Sequence, residues 1–83
     1  MTEWLKETID AMLTKRRHEL QAANCEEYKQ EFEKLKTKTV AELATLTTLI
    51  VGGITFADDE GEKKQLTKLY TYLALQSLEI ERM

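Results

Sequence analysis

A chain of 83 residues, 42% of them hydrophobic and 33% charged, has room for one folded domain with a modest core. It is too apolar for a disordered chain and too short to enclose a deep catalytic cleft. Twelve basic against fifteen acidic residues leave a net charge of −3, which does not provide the strongly basic face of a nucleic-acid binder.

No proline occurs and the three glycines stand at 52, 53 and 61, so long helices are expected. From Glu3 onward, Leu5, Ile9, Met12, Leu13 and Leu20 recur at helical spacing, which predicts a first helix over about 3–22. The pattern breaks at Ala22-Ala23-Asn24. Asn24 followed by Glu27 has the spacing of a capping box and predicts a helix start at Cys25, with one continuous helix as the rival.

The second helix, expected over 25–51, carries Tyr28, Phe32, Leu35, Val40, Leu43, Leu46 and Ile50 among lysines and glutamates. Its charge fades after Thr39, and Leu43 to Ala57 is an uncharged run of apolar residues and threonines. Three structures compete for that run. A membrane span needs about 20 apolar residues, and this stretch is shorter and contains threonines and glycines. A β-hairpin would turn at Gly52-Gly53 between the β-branched segments 47–51 and 54–57. The preferred reading ends the helix at Val51 with Gly52 as a left-handed cap, and leaves Ile54 to Phe56 as an extended connector plugging the core.

Asp59 with Glu62 repeats the capping signal and predicts a third helix over about 60–81. Leu66, Leu69, Leu73 and Ile80 form its main seam, with Tyr72, Leu75 and Leu78 round the corner. The expected fold is therefore all-α, a single domain over 1–83: a three-helix bundle, or a helical hairpin plus a third helix.

The longer second helix is expected to overhang its neighbours with Leu43 to Val51. Together with the flank of helix three this is more apolar surface than a small monomer usually exposes. Leu46, Leu49, Ile50, Tyr72, Leu75 and Leu78 are the expected partner-contacting residues. The leading functional expectation is a protein-interaction module: an adaptor, chaperone or inhibitor acting on a partner protein. A self-assembling homo-oligomeric subunit and a membrane-associated protein using residues 43–57 are the alternatives. The general helical form resembles that of small secretion chaperones, phage-encoded modulators of host proteins, toxin-neutralising partners and virion connectors, an analogy of fold that does not determine function.

Sharper chemistry finds little support. Cys25, the only cysteine, excludes an intrachain disulfide, and the one histidine, His18, is not linked to it by any catalytic motif. Zinc would need several such ligands at defined spacing, and Asp58-Asp59-Glu60-Gly61-Glu62 lacks the spacing of a calcium loop. Lys15-Arg16-Arg17-His18 and Lys34, Lys36 and Lys38 are diluted by Glu19, Glu31 and Glu33, which favours a solvated helix face over phosphate binding. No catalytic residue, cofactor or metal is expected. Glu3 and Glu7 do not fit the basic-then-apolar layout of a secretory signal, so the expected location is cytoplasmic.

Overall fold

The computed structural model describes residues 2–83 as three helices, α1 (Thr2–Ala23), α2 (Lys29–Phe56) and α3 (Glu60–Glu81), with a short 3₁₀ turn at Glu26–Tyr28. Among the described residues there is no strand. Each helix buries a seam whose steps alternate between three and four residues, the spacing of coiled-coil packing. On α1 it runs Ile9, Leu13, Arg16, Leu20, Ala23; on α3, Leu66, Leu69, Leu73, Gln76 and Ile80, with Met83 next in step just past the helix end. On α2 the same alternation passes through Phe32, Lys36, Thr39, Leu43, Leu46 and Ile50 and on through Gly53 to Ala57. Leu20, Leu43, Leu73 and Ile80 are wholly enclosed, and full burial of such a side chain contributes roughly 1.5–3 kcal/mol. Thr39, also enclosed, donates its hydroxyl to the Leu35 carbonyl at 2.7 Å, so no polar atom is stranded there.

Two expectations about α2 need correction. Its start is not a capping box: Cys25 is extended (φ −153°, ψ 164°), no side chain caps the turn, and the 3₁₀ turn intervenes before Lys29. Glu26 and Glu27 sit in its first turn, where carboxylates complement the positive end of the helix dipole. The second correction is larger. α2 does not stop at Val51 with a glycine cap, nor turn as a hairpin, nor leave Ile54 to Phe56 extended; it stays helical through Gly52 and Gly53 to Phe56, with no residue at positive φ among those described. Packing explains this. A continuous helix keeps Ile50, Gly53 and Ala57 on the seam, and a methyl group at Gly53 would lie only 3.5 Å from Leu66 Cδ1, in ordinary contact.

Ala57 (φ −73°, ψ 132°) ends α2, and three residues later α3 begins under Asp59, whose carboxylate accepts a hydrogen bond from the Gly61 N–H at 3.2 Å. The backbones of α2 and α3 run close together along this hairpin, while α1 lies farther from both. The expected overhang of Leu43 to Val51 is not formed, since Leu43 and Ile50 are buried. Arg16 on α1 meets Glu42 on α2, so Ala23 comes level with about residue 35 of its antiparallel neighbour, at α1's rise of about 1.5 Å per residue. The surplus length of α2 therefore lies at its charged N-terminal end, where buried Phe32 shares a small cleft with Asn24, Cys25 and Met83.

Candidate interaction surface

The side of α2 turned away from the core has its own alternating stripe: Lys34, Lys38, Ala41, Thr45, Thr48, Gly52 and Thr55. All are exposed except half-buried Gly52. From Ala41 to Thr55 the stripe carries no charge. Its threonines are less polar than their names suggest, because Thr45, Thr48 and Thr55 turn their hydroxyls back onto the carbonyls of Ala41, Ala44 and Val51 at 3.1, 3.1 and 2.9 Å. Covering such hydroxyls costs little, since each already has its hydrogen bond. Large apolar groups flank the stripe: Leu49 is 67% exposed, Phe56 83%, and Val51 is exposed on the other side.

The six expected contact residues do not form one surface. Leu49 lies beside the α2 stripe. Leu75 and Leu78, 54% and 47% exposed, lie on α3 off its seam and form a separate patch. Leu46 is half-buried against the core. Ile50 is only 7% exposed and is a core residue, which corrects its assignment to a partner surface. Tyr72 is half-buried and engaged within the chain: its hydroxyl donates to the Asp10 carboxylate of α1, and Lys6 Nζ sits 5.6 Å from its ring centre. The hydrogen bond to Asp10, then burial and the charge of Asp10, push the Tyr72 phenol up from 10.0 to about 12, against a lowering pull from Arg17.

Tyr72 belongs to a row of polar links that fasten α1 to the hairpin. Arg17 donates to Gln76 and, at 2.7 Å, to Glu79. Arg16 reaches Glu42 at 3.0 Å and Glu19 at 3.4 Å. The sequence reading counted Val51 in the exposed overhang but missed Phe56 as a surface group, because it placed Phe56 in a core-plugging connector. The signal that finds it is the three-and-four alternation carried unbroken past Ile50 to Ala57.

Cys25 and His18 are both exposed, on the loop after α1 and on α1 itself. Among the described residues no group of three or more His, Cys, Asp or Glu is placed to hold a metal ion. The segment Glu26–Phe56 includes an 18-residue window of mean hydropathy 1.5, only 17% of it buried, which is long and apolar enough to cross a membrane by length and composition. Compared with known protein families, curated proteins and solved structures, the chain matches no family model, no curated protein and no solved structure.

Proposed function

We propose that this chain is a small cytoplasmic protein-interaction module, an adaptor, chaperone or inhibitor without catalytic activity, whose working surface is the outer face of α2. One observation carries the reading: an uncharged helix face with self-satisfied threonine hydroxyls, flanked by Leu49 and Phe56 at 67% and 83% exposure. Such a face suits an apposed helix, because small residues let two backbones approach and the flanking side chains pack around the contact. The test is affinity capture from the native host with the wild type and with a Leu49→Glu/Phe56→Glu variant. Both side chains are exposed, so the variant keeps its helix content by circular dichroism and loses the captured protein. Equal capture by both forms defeats the proposal.

A membrane-associated role is the second reading, favoured by the hydropathy of α2. Its mark is co-flotation with lipid vesicles and a blue shift of Trp4 fluorescence, neither of which a purely protein-directed surface produces.

A further inference from the structure

The charges at the two ends of the α2 face are arranged as a complementary pair. Lys34 and Lys38 precede the uncharged stretch on the same stripe, and Asp58, Asp59, Glu60 and Glu62 follow it at the turn into α3. Lys38 stands ten residues before Thr48 on α2, and Asp58 ten residues after it, just past the end of α2. Lys34, Lys38 and Asp58 are exposed, and among the described residues none of them makes an intrachain ion pair.

We infer that the outer face of α2 pairs with the same face of a second copy of this chain, antiparallel, about a two-fold axis beside Thr48. This rests on the interaction-surface reading above and names the occupant. The axis brings Lys38 of each copy to Asp58 of the other, twice by symmetry, and sets Leu49 beside its own counterpart. Parallel pairing sets lysine against lysine and acid against acid, which costs affinity.

Gly52 fits the same arrangement. It is a helical glycine, and a methyl group there would meet nothing within 4 Å in the single chain, so no contact inside the fold calls for its missing side chain. Close approach of a second α2 does.

The contact is small. About Thr48 the two copies of α2 overlap only from about Val40 to Phe56, about 25 Å, so a strip about 10 Å wide covers on the order of 250 Å² per copy, roughly a third of a standard interface. The dimer is therefore weak, dissociated at low micromolar concentration, in rapid exchange, and weakens further as salt screens its ends.

The test is sedimentation equilibrium of the full chain from low micromolar to millimolar concentration, on the wild type, Lys38→Glu, Asp58→Lys, the Lys38→Glu/Asp58→Lys double variant, and Leu49→Glu. The wild type dimerises. Each single charge reversal weakens the dimer about tenfold, since two exposed pairs turn repulsive at once. The double variant returns to within about threefold of the wild type, because the swapped charges again oppose their complements. Leu49→Glu is monomeric with unchanged helix content.

A dimer that the double variant fails to restore overturns the antiparallel register. A wild type that stays monomeric throughout overturns self-pairing. If Leu49→Glu/Phe56→Glu still abolishes capture of a different protein, the interaction surface stands and its occupant is that protein. If the variant changes nothing, both readings fall together.

Discussion

Replacing Gly52 by alanine separates a helix that continues past Val51 from one that ends there. In the structure Gly52 is helical, no described residue has positive φ, and an added methyl meets nothing within 4 Å. The substitution then removes the entropy cost of a mid-helix glycine and adds no clash, a gain of roughly 0.5–1 kcal/mol. For a domain of this size that is a rise in Tm of about 2–8 °C. The assay is a thermal melt followed by circular dichroism, at low micromolar concentration so that association does not contribute. Gly53→Ala is the companion; its methyl would lie 3.5 Å from Leu66 Cδ1, an ordinary contact, and the sign is the same. A left-handed cap or hairpin turn at Gly52 demands the opposite result, because alanine there would be forced into a conformation costing about 1–2 kcal/mol. A fall in Tm for Gly52→Ala refutes the continuous helix and, with it, the uncharged stripe.

Leu43→Ala removes a fully enclosed side chain at the centre of α2 and costs about 2–5 kcal/mol by chemical denaturation, a large share of the roughly 5–15 kcal/mol typical of a folded domain. Tyr72 should confer a pH dependence. Its phenol is held neutral up to about 12 in the fold against 10.0 when free, so its contribution is intact below pH 10 and is lost as pH rises through the folded value. Tyr72→Phe removes that loss from the stability-against-pH curve, and an unchanged curve contradicts the Asp10 link. A double-mutant cycle on Arg17 and Glu79, a pair that is substantially exposed, should give a coupling of only about 0.2–1 kcal/mol that shrinks in high salt.

The seams of α1 and α3 were readable because every third or fourth position except Arg16 and Gln76 is apolar, and the start of α3 because Asp59 offers a cap with acids behind it. Asn24 and Glu27 carry the same cap spacing but do not form the box; the extended backbone at Cys25 and the 3₁₀ turn replace it, and no local preference signals that choice. Gly52-Gly53 misled because glycine serves equally as a helix stop and as a contact residue within one. Local propensity favoured the stop, and the seam through Ile50 and Ala57 overrode it. The same ambiguity governed the surface. Adjacent helix positions differ by about 100°, so Leu49 and Ile50 face opposite fates, and only the register carried through Gly53 tells which is which. Leu75 and Leu78 were legible as leftovers from a full seam. Tyr72 was not, since its partner Asp10 lies 62 residues away.

The way α1 is attached bears on how the molecule opens. α2 and α3 are joined by a three-residue turn and run close together, whereas α1 stands off and is tied at its margins by arginine, tyrosine and carboxylate links. Its amides should exchange with solvent ahead of those in the hairpin, in a partial unfolding that peels away one element and leaves a two-helix remnant.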